Sequence, residues 1–341
     1  MRVLLIGPNP PPHGGVSVHV SGVHQWLNRS GVTCRILDTG AAPLGLRFGL
    51  TVLRYAFDGW TLHLHTNGHN LKSWLLALAC GLAGKCSGGA ILTLHSGLLP
   101  GYIQAAPFWR RTLTLLTFSL YKQVVCVSLE IGKTLLSLGL DSRRMEILPA
   151  FLSTEGPQPA LDPELLAWVG RHRPLFSTVL FFRPEYGFDL LVSALARLRR
   201  LYPSLGCLVM GSGEQRPEAE NRIREAGLEE NILLLGDMDH PRCLALLSAS
   251  DVFLRPTLRD GDSISVREAL CLGVPVVASR VGARPAGAIL FRPGDLEDML
   301  AKIRLAMAAG SRGNSQSAGC MDRLIEIYRQ VDGSEGNLCL N

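Results

Sequence analysis

Two carboxylates, Asp260 and Glu268, stand eight positions apart in the stretch that runs from Arg255 to Ser279, Arg-Pro-Thr-Leu-Arg-Asp-Gly-Asp-Ser-Ile-Ser-Val-Arg-Glu-Ala-Leu-Cys-Leu-Gly-Val-Pro-Val-Val-Ala-Ser. Asp251–Arg255 reads as a short buried strand, Ser263–Leu272 as a helix, Gly273 as its stop and Val274–Ala278 as the next strand. Asp260 therefore belongs to the loop before a helix N-terminus, and Glu268 lies roughly 7 Å further along that helix. Between them, around Ser263 and Ile264, are the first-turn backbone N–H groups, which have no partner inside the helix and stabilise an anion such as a pyrophosphate. A nucleotide diphosphate sugar carries hexose hydroxyls, pyrophosphate and ribose hydroxyls in the same order as acid, amide cluster, acid, and carboxylates accept hydrogen bonds from hydroxyls. Ser265 and Glu268 also fit a Ser-x-x-Glu capping box, and the spacing alone leaves both readings open.

This segment resembles the signature of retaining GT-B glycosyltransferases of the large bacterial Glu-x7-Glu type (glycosyltransferase family 4 type, group 1). That signature is two acids with seven residues between them, then Ala, then Gly-x-Pro-Val-Val-Ala. Glu268 takes the place of the second Glu, and Asp260 stands where the first is usual. The resemblance implies that the first acid touches the donor sugar and the second the ribose. It extends over nearly the whole chain, with its specific part here. Ser263 departs from the pattern, since glycine is common three residues after the first acid.

Other motifs bear on the same chemistry. Gly7-Pro-Asn-Pro-Pro-Pro-His-Gly14-Gly15-Val16 is a stiff loop ending in two glycines at a helix start, where backbone approaches a ligand closely or simply turns. The resemblance sets Gly14 and Gly15 near donor phosphate and acceptor. His95 closes the apolar strand Ile91–His95, at the sheet edge where ligands bind in this architecture, and the resemblance turns it toward donor sugar and leaving phosphate. His63 and His65 share a strand face, and with His69 they raise the idea of a metal. No fourth ligand is evident, and the resemblance implies catalysis without a bound metal. Family members usually carry Arg and Lys after the first strand of the second domain to neutralise the diphosphate. Here the loop is Phe181-Phe-Arg-Pro-Glu-Tyr-Gly187, with Tyr186 in the usual Lys place and Arg183 displaced by two. Arg183 stands either on phosphate, where its planar fork suits bidentate contact, or against Glu185 in solvent. Gly211 and Gly213 line a nucleotide pocket or form a turn; with Gln215 and Arg216 following, they lack the dinucleotide fingerprint.

The elements that must position these residues alternate along the chain. Apolar strands at Val3–Gly7, Leu62–His65, Ile91–His95 and Val124–Val127, then Thr178–Phe182, Cys207–Met210 and Ile232–Leu235, are separated by helical stretches. This is the pattern of parallel sheets with crossover helices. A chain of 341 residues with 47% hydrophobic and 18% charged residues has length for two cores. The expected fold is α/β, GT-B, with two doubly wound Rossmann-like domains facing each other across a cleft. The expected boundaries are an acceptor-side domain over 1–150, a proline-rich linker with a short helix over 151–174, a nucleotide-sugar domain over 175–316, a helix over 317–332 that returns to the first domain, and a loose tail over 333–341.

Residues 1–150 hold 13 Lys and Arg against 5 Asp and Glu, whereas residues 151–341 hold 21 against 24, for a net charge of +5. An anionic partner on the first half follows. Nucleic acid lacks support from any basic run or helix-turn-helix. Phe108-Trp-Arg-Arg111 opens a helix in the manner of a contact with an anionic membrane or a lipid pyrophosphate, or is a solvated helix start. The most apolar helix, Ser73–Gly84, is too short to span a bilayer, and Met1 leads directly into a strand, so a cytoplasmic enzyme is expected, at the inner membrane face if the cluster docks there. The nine cysteines show no Cys-x-x-Cys spacing and read as reduced core residues.

The expected activity is metal-independent, cofactor-free transfer of a hexose from a nucleotide diphosphate sugar to a saccharide acceptor, free or lipid-linked, in cell-surface or exopolysaccharide synthesis. His95, Arg183 and Asp260 are the candidate catalytic residues. Gly14, Gly15, Arg183, Gly211, Gly213, Asp260, Ser263, Ile264 and Glu268 are the candidate donor contacts. The alternatives are a sugar-nucleotide epimerase of the same shape and a non-catalytic assembly subunit, the latter suggested by Tyr186 and by Asp at 260.

Overall fold

The computed structural model describes residues 1–41, 45–86, 88–150, 159–309 and 320–332, and its contacts group them into two units. The first takes in the described parts of Met1–Pro10, Gly15–Leu152 and Ala318–Asn341, and the second those of Pro11–Gly14 and Ser153–Ser317. Of the expected linker, 151–158 lies outside the described residues, as do 317–319 and the tail over 333–341.

In the first unit the order is β1 (Arg2–Gly7), α1 (Gly15–Arg29), β2 (Thr33–Asp38), α2 (Leu46–Phe57), β3 (Thr61–Thr66) and α3 (Leu71–Gly84). There follow β4 (Ala90–Leu94), α4 (Leu99–Gln104), α5 (Phe108–Ser119), β5 (Gln123–Cys126), α6 (Leu129–Ser137) and β6 (Met145–Ile147). The second unit runs α7 (Pro163–Arg171), β7 (Leu175–Val179), α8 (Phe188–Arg199), β8 (Gly206–Met210), α9 (Arg216–Glu225) and β9 (Ile232–Gly236). It continues with α10 (His240–Ser248), β10 (Val252–Arg255), α11 (Ile264–Cys271), β11 (Val276–Ser279), β12 (Ile289–Phe291) and α12 (Leu296–Ala309). The final helix, α13 (Cys320–Asp332), packs with the first unit, where Leu324, Ile327, Tyr328 and Val331 share a core with Val3, Leu5 and Ile91.

Each unit holds a six-stranded sheet, in the order β2-β1-β3-β4-β5-β6 and β12-β11-β10-β7-β8-β9, and every strand pair is parallel. Both units are therefore doubly wound. Central strands such as β4 (AILTL) and β8 (GCLVM) are buried at every position, because helices cover both faces and apolar side chains are needed on each. In the second sheet Phe176, Val209 and Leu254 enter one core and Leu175, Leu208 and Phe253 the other.

Strand order reverses between β1 and β3 in one sheet and between β7 and β10 in the other. At such a switch point the flanking loops leave in opposite directions and open a crevice at the strands' carboxyl ends. The loops after β7 and β10, which carry Arg183 and Asp260, flank the second.

The sequence reading misplaced one strand and passed over three. The expected strand Thr178–Phe182 is instead Leu175–Val179; the apolar run continues because Leu180 and Phe182 pack into the core from the loop, with the Phe182 N–H donating to the Ser212 carbonyl at 3.0 Å. The strands β2, β6 and β12 lie at sheet edges and are partly exposed, so they lack a continuous apolar run.

Candidate functional site

Three loops of the second unit are stitched together at the carboxyl ends of β7, β10 and β11. The Leu258 N–H donates to the Glu185 carbonyl at 2.7 Å, which ties the β10–α11 loop to the Arg183 loop. The Ala283 N–H donates to the Gly261 carbonyl at 2.7 Å, which ties the same loop to the one after β11. Both seams require glycine. Gly187 has φ +69°, and a Cβ there would meet the Pro256 carbonyl oxygen at 2.1 Å; at Gly282, φ +61°, it would meet the Gly261 oxygen at 2.3 Å.

These seams bring two arginines onto Asp260. Its Oδ2 accepts from Arg255 Nε at 3.0 Å and from an Arg284 terminal nitrogen at 3.1 Å, and its Oδ1 accepts from the Gly261 N–H at 3.1 Å. The side chains are 8%, 3% and 11% exposed for Arg255, Arg284 and Asp260. Burial alone pushes the Asp260 carboxyl up, and the two guanidiniums outweigh it and hold the group below the ordinary carboxylate value. Burial leaves Arg284 lowered despite its partner. Asp262, nearby, pairs with Arg267 Nε at 2.9 Å through both oxygens. Three guanidiniums therefore meet two carboxylates, and the cluster carries a surplus positive charge. Tyr186, in the family's usual Lys place, lies under Arg255 with the guanidinium 5.0 Å from its ring.

Arg183 is exposed, with its guanidinium 5.7 Å from the Phe181 ring, and among the described residues it forms no ion pair with Glu185 or any other acid. The helix α11 starts after Ser263, whose side chain makes no capping bond to the first-turn N–H groups and instead lies 3.1 Å from Ser265 Oγ. Helices α3 and α10 contrast with it, since Asn70 and Asp239 cap them. Ser263 and Ile264 thus begin a helix whose first-turn amides the Ser263 side chain leaves uncapped.

Ser265 and Glu268 do not form the capping box, because the cap falls two residues earlier. Glu268 is buried, and its Oε1 meets His240 Nε2 at 2.6 Å. Burial pulls the His240 imidazole down, but the carboxylate bond and charge raise it more, so its net shift is upward. Asp260 and Glu268 therefore sit in separate polar contacts, one on arginines and one on a histidine.

Gly211 and Gly213 have a structural cause. With φ +129° and +157°, their added Cβ atoms would meet Leu180 O at 1.8 Å and Phe182 N at 2.6 Å, since the loop after β7 lies on the one after β8. Gly14 donates its N–H to the Pro12 carbonyl at 3.1 Å, and Gly15 opens α1 with open space where a Cβ would stand.

In the first unit His95 follows β4 directly, and its Nε2 lies 3.2 Å from His65 Nδ1. His63 is occupied on both sides, by Tyr328 Oη and by Thr93 Oγ1 at 2.7 Å, and His69 Nδ1 meets Ser96 Oγ at 2.8 Å. The trio His63, His65 and His69 does not converge. Another does, since His19, His65 and His95 each bring a ring nitrogen within 4.8 Å of the others. Burial lowers His19 to about 4 and His63, with help from His19, to about 3. His65 and His95 are driven well below the ordinary value by burial and by neighbouring histidines.

Sequence reasoning missed Arg255, Arg284, His240 and His19. A charged residue closing an apolar strand was a usable signal for Arg255; the others come from remote loops or a helix face and had none. Among the described residues no helix is long and apolar enough to cross a membrane.

Residues 171–309 match the family model described as glycosyl transferases group 1. Among similar proteins, the phosphatidylinositol N-acetylglucosaminyltransferase gpi3 subunit of Schizosaccharomyces pombe is 25% identical over 222 residues, 64% of this chain and 47% of that protein. The lipopolysaccharide core biosynthesis mannosyltransferase LpsB of Rhizobium meliloti (strain 1021) is 30% identical over 163 residues, 46% of this chain and 42% of the relative. The chain thus spans less than half the length of these relatives. Among solved structures, Anabaena Alr3699/HepE in complex with UDP-glucose superposes with a TM-score of 0.69 at 16% identity, covering 99% of this chain and 100% of that one. The fold is GT-B, two Rossmann-like units.

Proposed function

We propose that this chain, of GT-B fold with a group 1 glycosyltransferase match over residues 171–309, transfers a hexose from a nucleotide diphosphate sugar to a saccharide acceptor with retention of anomeric configuration. The observation that carries the proposal is the positively charged, three-loop cluster around Asp260 beside the uncapped start of α11. Breaking the bond between the anomeric carbon and the diphosphate builds negative charge on the leaving group. The α11 amides, the surplus guanidinium charge and Arg183 would stabilise that charge in place of the absent Lys, without a metal or cofactor. The acceptor hydroxyl would attack on the face the phosphate leaves, with that phosphate taking the proton. On this reading Asp260 and Glu268 position the donor and neither acts as base or nucleophile. Glu268 would act on the ribose together with His240, which is the more exposed of the pair. Gly211 and Gly213 would border the donor within the second unit.

The relatives that act on phosphatidylinositol and on lipopolysaccharide core favour a lipid-linked acceptor in cell-surface synthesis. An apolar and basic face on the first unit supports it. Leu46, Leu50 and Phe57 of α2 are 80%, 56% and 72% exposed, and Phe108 and Trp109 of α5 are 85% and 54% exposed. Arg47, Arg54 and Arg111 are exposed on the same helices. Such a face suits the cytoplasmic surface of an anionic membrane.

The test is incubation with uridine, guanosine and adenosine diphosphate sugars, with and without saccharide and lipid-linked acceptors, and assignment of the product anomer by NMR. Acceptor-dependent transfer with the donor's anomeric configuration supports the reading. Tight binding without turnover would identify an assembly subunit, and sugar interconversion without acceptor an epimerase.

A further inference from the structure

The four histidines of the first unit's switch point are more numerous than one donor contact needs. His19 projects from α1, His65 from β3 and His95 from the end of β4, and their nitrogens gather within 4.8 Å. The Nδ1 of His65 and the Nε2 of His95 are 3.2 Å apart. Two ligands at ~2.05 Å from one tetrahedral zinc ion are separated by ~3.3 Å, so this spacing already suits a shared ion. His19 Nδ1 is buried with no hydrogen-bond partner among the described residues. A buried imidazole nitrogen without a partner is costly, and a cation takes up the lone pair that no donor satisfies.

We propose that His19, His65 and His95 form a three-imidazole site for one divalent transition-metal ion of the Zn2+ class. All three are ring nitrogens, and imidazole without carboxylate selects Zn2+, Ni2+ or Cu2+ over Mg2+ and Ca2+. The fourth position falls to water. His63 stays outside the set, fixed by Tyr328 and Thr93, and buttresses His65 with ring centroids 4.0 Å apart.

The test uses the full chain after chelation and dialysis. Calorimetry with Zn2+ is expected to give one strong equivalent, and Co2+ is expected to give the intense visible bands of a tetrahedral nitrogen site. His19→Gln should weaken Zn2+ by at least about tenfold, whereas His24→Gln, on the outer part of α1, should leave it unchanged. Absence of a stoichiometric equivalent, a weak octahedral Co2+ spectrum, or equal affinity in folded His19→Gln would overturn the site.

Discussion

Arg255 and Asp260 are joined across the β10–α11 loop by a bond of 3.0 Å from Nε to Oδ2, and Arg284 reaches the same oxygen at 3.1 Å. One carboxylate thus serves two buried guanidiniums, and among the described residues no other acid forms an ion pair with either. Removing that charge leaves two buried cations uncompensated, a loss of about 3 kcal/mol by analogy with broken buried pairs. Asp260→Asn is expected to lower the thermal midpoint of the second unit by about 5–10 °C as well as reduce transfer. An unchanged midpoint by calorimetry would mean that the cluster does not depend on the charge.

Glu268→Ala is expected to raise the donor Michaelis constant by about tenfold with turnover within about threefold, the pattern of lost ground-state binding. His240→Ala should move the same constant in the same direction, because the two side chains form one unit at 2.6 Å. Steady-state kinetics on both variants decides. A donor constant equal to the parent's in Glu268→Ala would confine the pair to packing.

Arg183→Ala is expected to lower turnover by about tenfold or more, the loss of one donor to developing charge. Its side chain is exposed, so the thermal midpoint should not move. Arg183→Lys should restore part of the rate. Full activity in the Ala variant would take this arginine off the phosphate.

Much of the positioning frame was legible because its signals are local. The helix expected over Ser263–Leu272 and found over Ile264–Cys271, Gly273 as its stop, the strand expected from Val274 and found from Val276, and the strand-edge place of His95 follow from apolar runs and punctuation within a few residues. The electrostatics were not legible. Arg284 reaches Asp260 from 24 residues away through a turn that depends on Gly282, and no local pattern marks that pairing. His63 meets Tyr328 across 265 residues. His19 lies on a helix face that reads as ordinary amphipathic patterning. The edge strands escaped because partial exposure removes the apolar run by which a buried strand is read.

The histidine cluster predicts acid lability of the first unit. His19 is lowered from 6.5 to about 4, so between those values the unfolded chain takes a proton that the folded chain refuses. Stability is then full above pH 6.5 and falls as the pH drops toward 4, by about 2 kcal/mol at pH 5 for one such group. His63, lowered to about 3, acts in the same direction. His240 has the opposite sign: its raised value contributes stability that is present below pH 6.5 and lost as pH rises through its folded value. Thermal melts from pH 7.5 to 5 should show an acid loss that His19→Gln reduces. A flat profile would show that these imidazoles titrate normally.

The exposed face of α2 and α5 separates docking from folding. Leu50, Phe57 and Phe108 are all more than half exposed, so replacing them by Ser removes little core contact and should leave the thermal midpoint within about 2 °C. If the face enters a lipid interface, each substitution removes apolar area that is buried only there, at about 25 cal/mol per Å2. The triple variant is expected to lose at least about tenfold in co-sedimentation with vesicles rich in phosphatidylglycerol. High salt should weaken the parent as well, since Arg47, Arg54 and Arg111 contribute a screened attraction. Transfer to a short water-soluble acceptor should survive in the variant while transfer to a lipid-linked one falls. Equal vesicle binding by parent and triple variant would remove this face from the membrane.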